Sequence, residues 1–167
     1  SRDIGAHGAT IFTAREGINM HSNLKSDCSS LYPLVKALID ANIKITALRD
    51  ATRGGVSAVL NEWAKQSNIC IEVEEEQIPI SDEVKGICEM LGFEATNLAN
   101  EGTFLLAISK DDAAKAIEVL HKFEEASNAC IIGKVTAQYP QKVILNSSWG
   151  TKRFLDTPTG ELLPRIC

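Results

Sequence analysis

The chain has 167 residues, of which 44% are apolar and 23% charged, and its net charge is −5. These values are typical of a globular protein with a buried core. The negative charge and the lack of a basic cluster exclude non-specific binding to nucleic-acid backbones. No apolar run approaches the roughly 20 residues that a membrane-spanning helix needs. We therefore expect neither a nucleic-acid partner nor a membrane segment.

The apolar spacing predicts alternating strands and helices. In chain order, we predict a strand at 9–15, a loop at 18–29, a helix at 30–41, a strand at 44–49, a helix at 53–67, a strand at 69–74, a helix at 82–91, a strand at 103–109, a helix at 111–124, and strands at 129–136, 142–146 and 152–155. Ser81 or Asp82 is expected to cap the third helix. Because the last strands follow one another without helices, the sheet should be mixed. The prediction is a layered α/β (α+β) domain over residues 1–156, followed by a mobile tail over 157–167.

Five cysteines lie at widely separated positions: Cys28, Cys70, Cys88, Cys130 and Cys167. No two have Cys-x-x-Cys spacing, so the sequence contains neither a zinc knuckle nor a thioredoxin motif. Asp50 has the chemistry to hold a metal ion, but we assign no residue as a metal ligand. Cys70, Cys88 and Cys130 lie within apolar patterns and are expected in the core. Free thiols of this kind are typical of a reducing, cytoplasmic setting.

Residues 49–55 read Arg-Asp-Ala-Thr-Arg-Gly-Gly and lie between a predicted strand and a predicted helix. Gly54 and Gly55 would let the backbone approach a ligand closely, and the N–H groups at a helix start favour an anion. The alternative is a tight turn in which Asp50 or Thr52 caps the helix. A Walker motif is excluded, because no Gly-Lys-Ser/Thr follows.

Residues 97–102 read Asn-Leu-Ala-Asn-Glu-Gly and precede a predicted buried strand. The carboxylate of Glu101, at the mouth of an α/β sheet, would be well placed to act as a general base. The alternative is an ordinary turn in which Asn100 and Gly102 take unusual backbone angles.

The tail over residues 157–167 contains two prolines and ends in Cys167. Pro158 and Pro164 stiffen the segment and oppose its pairing with a sheet. Eleven extended residues reach up to roughly 35 Å, so the terminal thiol would be able to carry a small group between separate sites. The alternative is a chain end that happens to finish in Cys. A prenylation box is excluded, because its Cys lies four residues from the end.

Four segments together resemble the HypE family of hydrogenase maturation factors. They are Ile-Gly-Ala-His-Gly at 4–8, Leu-Arg-Asp-Ala-Thr-Arg-Gly-Gly at 48–55, Leu-Ala-Asn-Glu-Gly at 98–102 and Pro-Arg-Ile-Cys at 164–167. The resemblance covers essentially the whole chain and corresponds to the family's C-terminal domain and tail. The middle motifs are shared with the superfamily of aminoimidazole ribonucleotide synthetase (PurM) and selenophosphate synthetase, whereas the terminal Pro-Arg-Ile-Cys is the distinguishing feature.

The resemblance implies an ATP-dependent carbamoyl dehydratase. A HypF-type carbamoyltransferase would load a carbamoyl group onto Cys167, ATP would activate the carbonyl oxygen, and elimination would leave a thiocyanate. The cyano group would then pass to iron on a HypC–HypD complex for a [NiFe] site. Glu101 is the expected base of the elimination, and we expect it to lie in a partly closed cleft. Six further residues are expected to contact phosphate or the tail: Asp50, Thr52, Arg53, Gly54, Gly55 and Asn100.

Two departures from the family pattern limit this chain. The first motif usually reads Gly-Asp-His-Gly, and Ala6 stands where the Asp is expected. The resemblance covers only the family's C-terminal domain, so we expect the N-terminal domain, which carries most of the ATP- and Mg²⁺-binding residues of the family, to be missing. We therefore expect an excised domain that is inactive and binds no cofactor alone, and that is monomeric although the full-length protein forms a homodimer. Two alternatives are a non-catalytic docking module and another ATP-dependent synthetase of the superfamily.

Overall fold

The structure is a computed structural model that describes residues 1–17 and 24–158. Within them, five α-helices and six strands follow one another in this order: α1 Ala6–Arg15, α2 Tyr32–Asp40, β1 Ile45–Asp50, α3 Gly55–Ser67, β2 Cys70–Glu74, α4 Asp82–Leu91, β3 Phe104–Ile108, α5 Lys110–Leu120, β4 Gly133–Thr136, β5 Lys142–Asn146 and β6 Lys152–Phe154. None of these helices has the length and apolar character needed to cross a membrane.

The strands form two sheets. β1 and β3 make an antiparallel pair, with Asp50 opposite Phe104. The other sheet has the order β4-β2-β5-β6, in which β2 and β5 are parallel and the two outer pairs are antiparallel. The predicted mixed sheet in a layered α/β domain is therefore confirmed.

Two apolar clusters hold the layers together. In the larger cluster, Val56 and Val59 of α3 are buried together with Val73 and Leu145 of the four-stranded sheet. The smaller cluster joins α2 and α5 to the β1–β3 pair: Leu34, Leu38, Phe104, Val119 and Leu120. Since full burial of such a side chain contributes about 1.5–3 kcal/mol, these clusters fix where the ends of β1 and β3 lie.

The predicted strand at 9–15 is wrong, because this segment forms most of helix α1. Its β-branched residues favoured a strand, yet the hydroxyls of Thr10 and Thr13 donate to main-chain carbonyls one turn earlier. Phe12 then packs edge-to-face on Phe93, with ring centroids 4.9 Å apart. Tertiary packing thus outweighs local propensity here.

The other predicted helices and strands agree better with the structure. The remaining helices and strands all occur, and the Ser81 hydroxyl caps α4 by accepting from the Val84 N–H. Cys70 and Cys88 are buried as predicted, but Cys130 is exposed, and its thiol donates to the Gln77 carbonyl at 3.0 Å. The core prediction for Cys130 is therefore wrong. It lies in the irregular stretch before β4, where the apolar pattern has no strand to bury it.

Candidate functional site

The two internal motifs lie side by side in the fold, because β1 pairs with β3. The N–H of Ala51, just after β1, donates to the Thr103 carbonyl at 2.9 Å. In return, the N–H of Asn100 donates to the Ala51 carbonyl at 3.1 Å. Residues 50–55, here called the β1–α3 turn, and residues 98–103, the Glu101 loop, therefore form one hydrogen-bonded unit.

The side chain of Asn100 joins this unit to the first motif. Its Nδ2 donates to the carbonyls of Ala51 at 2.9 Å and Leu98 at 3.0 Å, and its Oδ1 accepts from the Gly5 N–H at 2.7 Å. Asn100 is 0% exposed. Its amide is therefore used within the protein, where it holds three chain segments together and presents no surface to a ligand.

The two glycines of the β1–α3 turn take the left-handed conformation, with φ of +71° at Gly54 and +60° at Gly55. A Cβ at Gly55 would lie 2.5 Å from the carbonyl oxygens of both Thr96 and Leu98. The predicted close approach therefore occurs, and it is an approach to the protein's own backbone. Glycine is required here both for φ and for space.

The predicted helix capping by Asp50 or Thr52 is not observed. Gly54 is the N-cap of α3, which has no side-chain cap, and the Gly55 N–H donates to the main-chain carbonyl of Thr52 at 3.2 Å. The tight turn of that alternative is present, formed by backbone atoms alone. The side chain of Asp50 is therefore left exposed at the end of β1.

The charged side chains of this region face solvent. Asp50 and Arg53 are exposed and Thr52 is partly buried. Arg49 forms an ion pair with Glu62 of α3, which fixes the end of β1 against the helix. Among residues 1–17 and 24–158, no group of three or more His, Cys, Asp or Glu side chains is arranged to hold a metal ion.

Glu101 lies at an exposed position on its loop, so the partly closed cleft expected around it is not formed by the described residues. The alternative of unusual backbone angles is also wrong, since neither Asn100 nor Gly102 has a positive φ. Gly102 is needed for another reason: a Cβ there would overlap the carbonyl oxygen of Asp27.

Asp27 holds the backbone of the Glu101 loop, and sequence reasoning missed it. Its carboxylate, 5% exposed, accepts from the N–H groups of Glu101 and Gly102 at 3.0 Å each and from the Thr103 hydroxyl at 3.0 Å. Asp27 lies in a stretch that reads as a plain polar loop, where a single acid gives no periodic signal. The glycine at position 102 was the available signal, because a glycine can mark a close approach of two backbones.

The chain from Leu155 to Pro158, which leads into the tail, runs along α3 to the β1–α3 turn. The amide of Asn61 donates to the Leu155 carbonyl at 2.8 Å, and Lys65 Nζ lies 3.5 Å from the Thr157 hydroxyl. Pro158, the last described residue, lies against the first turn of α3: a Cβ at Gly54 would be 3.7 Å from its Cγ. A groove of about 250 Å³ lies beside this segment.

The described chain therefore ends next to the β1–α3 turn. Cys167, predicted to be the group-carrying thiol, lies outside the described residues.

Comparison with known proteins identifies the family. The model of the AIR synthase related protein C-terminal domain matches residues 1–146. Over 167 residues, the chain is 42% identical to carbamoyl dehydratase HypE of Escherichia coli, and 41% identical to a putative hydrogenase expression/formation protein of Methanocaldococcus jannaschii. Each match covers 100% of this chain and 49% of the relative. The chain thus spans about half the length of these relatives.

Solved structures agree with this. A crystal structure of the hydrogenase maturation protein HypE superposes with a TM-score of 0.94 at 35% identity, over 99% of this chain and 54% of that one. HypE in complex with ATP gives 0.92 at 34% identity, over 99% and 51%. A HypE–HypF complex gives 0.87 at 37% identity, over 94% and 51%. The resemblance to HypE that the motifs indicated is confirmed, and the chain belongs to the family of AIR synthase-related C-terminal domains.

Proposed function

We propose that this chain is the C-terminal half of an ATP-dependent carbamoyl dehydratase that matures [NiFe] hydrogenases in the cytoplasm. Cys167 carries a carbamoyl group, and dehydration converts it to a thiocyanate that supplies the cyanide ligands of the iron. The observation that carries the proposal is the 42% identity to a carbamoyl dehydratase in an alignment that spans all 167 residues, up to Cys167. The joining of the β1–α3 turn, the Glu101 loop and the start of the tail supports it.

The reaction removes one oxygen and two protons from a thiocarboxamide. The amide oxygen is a poor leaving group, so the γ-phosphoryl group of ATP is transferred to it, and ADP and the first nitrogen proton leave. A base then takes the second nitrogen proton, phosphate leaves with the oxygen, and a carbon–nitrogen triple bond remains on the sulfur of Cys167. No oxidation or reduction takes place.

Glu101 is the base that we assign to the second deprotonation. Its carboxylate is exposed, on a loop bonded to the turn where the described tail ends. A general base has to reach the proton that it removes, directly or through one water molecule. The tail passes Gly54 at Pro158, and therefore continues from the turn to which that loop is hydrogen-bonded.

The β1–α3 turn is assigned to the phosphate groups or to the tail. Arg53 offers an exposed positive charge, and Asp50 and Thr52 flank it in sequence, whereas Gly54 and Gly55 shape the turn. Asn100 acts indirectly, by holding the turn and the loop together. Mg²⁺ in nucleotide sites is commonly held by one or two carboxylates together with the phosphates, and Asp50 is the exposed carboxylate of this turn. From the family resemblance, we assign ATP and Mg²⁺ mainly to the N-terminal half of the full-length protein, and we expect the C-terminal half to be inactive alone.

The partners follow from the same assignment. This chain resembles a chain in the structure of a HypE–HypF complex, which supports a HypF-type carbamoyltransferase as the donor of the carbamoyl group. A HypC–HypD complex is proposed as the acceptor of the cyano group. The full-length protein is proposed to be a homodimer, and this half a monomer.

Replacing Glu101 with Gln in the full-length protein tests the base. The amide keeps the size of the side chain but cannot take a proton, so Cys167 should still be loaded by the carbamoyltransferase while dehydration stops. Intact-mass analysis after addition of carbamoyl phosphate and ATP separates the carbamoyl adduct from the thiocyanate. Normal thiocyanate formation in Glu101→Gln would refute the role of Glu101.

Replacing Cys167 with Ala tests the carrier. Every mass adduct should disappear, while thermal unfolding of the protein stays unchanged. Persistence of a carbamoyl adduct on the Cys167→Ala protein would show that another group is loaded.

A second candidate function is a docking module without catalysis, and the exposed position of Glu101 is the observation that favours it. The two candidates differ in full-length protein: a docking module would bind the carbamoyltransferase equally well as wild type and as Glu101→Gln, with no difference in thiocyanate yield.

A further inference from the structure

The carboxylate of Asp27 is directed at the backbone of the residue that we assign as the base. Oδ1 accepts from the Glu101 N–H, and Oδ2 accepts from the N–H of Gly102 and the hydroxyl of Thr103, all at 3.0 Å. A buried carboxylate that accepts from consecutive N–H groups fixes the path of the backbone between them. The Cα of Glu101, and with it the origin of its side chain, is thus set by Asp27.

The segment that carries Asp27 is itself held on both sides. Ser26 Oγ lies 2.8 Å from Nδ1 of His7, which belongs to the first motif. The guanidinium of Arg2 donates to the Ser29 hydroxyl at 3.2 Å and to the Asp27 carbonyl at 3.4 Å. Residues 26–29 are therefore held in place by hydrogen bonds to His7 and Arg2. The hydrogen bonds from Asp27 in turn hold the main chain of Glu101.

The main chain at Asp27 also packs directly against the main chain at Gly102. Because the Asp27 carbonyl occupies the space of a Cβ at Gly102, the two backbones are in direct contact. Glu101, by contrast, has an exposed side chain. The loop thus combines a rigid backbone with a side chain that is free to meet a substrate.

We infer that Asp27 is the positioning residue for Glu101 in the dehydration step. We assign it no contact with the reacting atoms, because its carboxylate is 5% exposed and is bonded to the loop itself. It holds the Glu101 loop so that the carboxylate meets the thiocarboxamide nitrogen, and this inference rests on the proposed function of Glu101.

The test compares three variants of the full-length protein: Asp27→Asn, Thr103→Val and Glu101→Gln. Asp27→Asn keeps the size of the side chain but replaces one carboxylate oxygen with an NH₂ group. This group cannot accept a hydrogen bond from the N–H of Glu101 or Gly102. Thr103→Val is the matched control, because it removes a hydrogen bond to the same carboxylate and leaves the bonds to the Glu101 and Gly102 N–H groups intact. Dehydration of carbamoyl-loaded protein is followed by intact mass in a single turnover at varied ATP concentration.

We expect the dehydration rate of Asp27→Asn to fall about 100-fold, the size of effect that a displacement of about 1 Å produces. The ATP concentration at half-maximal rate and the extent of carbamoyl loading should stay within about twofold of wild type, because the Asp27 carboxylate is 5% exposed and is engaged by the Glu101 loop. Thr103→Val should lose less than about threefold in rate although it is less stable. A rate for folded Asp27→Asn near wild type, or equal losses in Asp27→Asn and Thr103→Val, overturns the inference.

Asp27→Glu is a fourth variant, for the case in which Asp27→Asn does not fold. It keeps the carboxylate and moves it by one methylene, so we expect a folded protein with about a tenfold slower dehydration. An unchanged rate in Asp27→Glu overturns the inference as well. Glu101→Gln separates the two claims: if that variant dehydrates normally, the assignment of the base fails, whereas a dead Glu101→Gln with a normal Asp27 variant removes only the role of Asp27.

Discussion

The side-chain amide of Asn61 donates to the main-chain carbonyl of Leu155 at 2.8 Å, and so ties helix α3 to the end of the sheet domain. Asn61 is 6% exposed, and its Nδ2 also donates to the carbonyl of Ser57 at 2.9 Å. Leu155 is fixed in turn by its N–H, which donates to the Val143 carbonyl at 2.9 Å. The point at which the chain leaves the sheet is therefore set by buried hydrogen bonds.

Replacing Asn61 with Ala should loosen this point. The Leu155 carbonyl would lose its donor, at a cost of about 1–2 kcal/mol in the free energy of unfolding. Amide hydrogen exchange at Leu155 should become about tenfold faster, because local opening is no longer resisted by α3. Gln66→Ala, on an exposed position of the same helix, is the control and should change neither quantity. Unchanged exchange at Leu155 in Asn61→Ala would contradict the assignment.

Two glycine substitutions with opposite outcomes test the β1–α3 turn. Gly55→Ala places a Cβ 2.5 Å from two carbonyl oxygens at a φ of +60°, so we expect a loss of about 3 kcal/mol or more in the free energy of unfolding. Gly86 lies exposed within α4 and has no atom within 4 Å of an added Cβ. Gly86→Ala should therefore stabilise the protein by about 0.5–1 kcal/mol. Urea unfolding measures both, and similar values for the two variants would show that the turn is not packed as described.

Much of the fold could be predicted from the sequence because its signals are local. The apolar periodicity of α3 and α4 and the capping hydroxyl of Ser81 each lie within a few residues of what they determine. The segment at 9–15 shows that local signals are not always sufficient to predict the secondary structure. Its Thr and Ile residues favour a strand, whereas the contact between Phe12 and Phe93, far apart in sequence, favours the helix.

The candidate site was predicted only in parts, for the same reason. Residues 50–55 and Glu101 carried recognisable patterns, but their union depends on Asn100, whose partners Ala51 and Gly5 lie 49 and 95 residues away. Asp27 had no pattern, and it binds the Glu101 N–H across 74 residues. Pairings at such separations are set by the topology of the folded chain, which spacing along the sequence does not reveal.

Asn100 should be among the least replaceable side chains for stability. Asn100→Ala leaves the Gly5 N–H and the carbonyls of Ala51 and Leu98 buried without this partner, which should cost about 4 kcal/mol in the free energy of unfolding. Asn128→Ala, which removes one exposed hydrogen bond, should cost less than about 0.5 kcal/mol. Thermal and urea unfolding compare the two. A small loss in Asn100→Ala would mean that its three bonds are not what holds the motifs together.

The buried thiol of Cys88 should make the free energy of unfolding depend on pH in the alkaline range. Burial, with Glu94 and Glu89 nearby, raises the pKa of its thiol above the ordinary value of 9.0. The folded protein thus holds this proton more tightly than the unfolded chain does. Its contribution to stability is fully present below about pH 9 and is lost as the pH rises through the higher pKa of the folded state.

The free energy of unfolding should therefore decline above pH 9 more steeply in wild type than in Cys88→Ala, which lacks the thiol. Val84→Ala is the matched control on the same helix: Val84 is 0% exposed, so this variant loses packing of a similar kind and keeps Cys88. We expect Val84→Ala to be destabilised by about 1–2 kcal/mol at every pH while it retains the alkaline slope of wild type. Urea unfolding between pH 7 and about pH 10.5 measures the three curves. Parallel curves for wild type and Cys88→Ala would exclude Cys88 as a source of the slope.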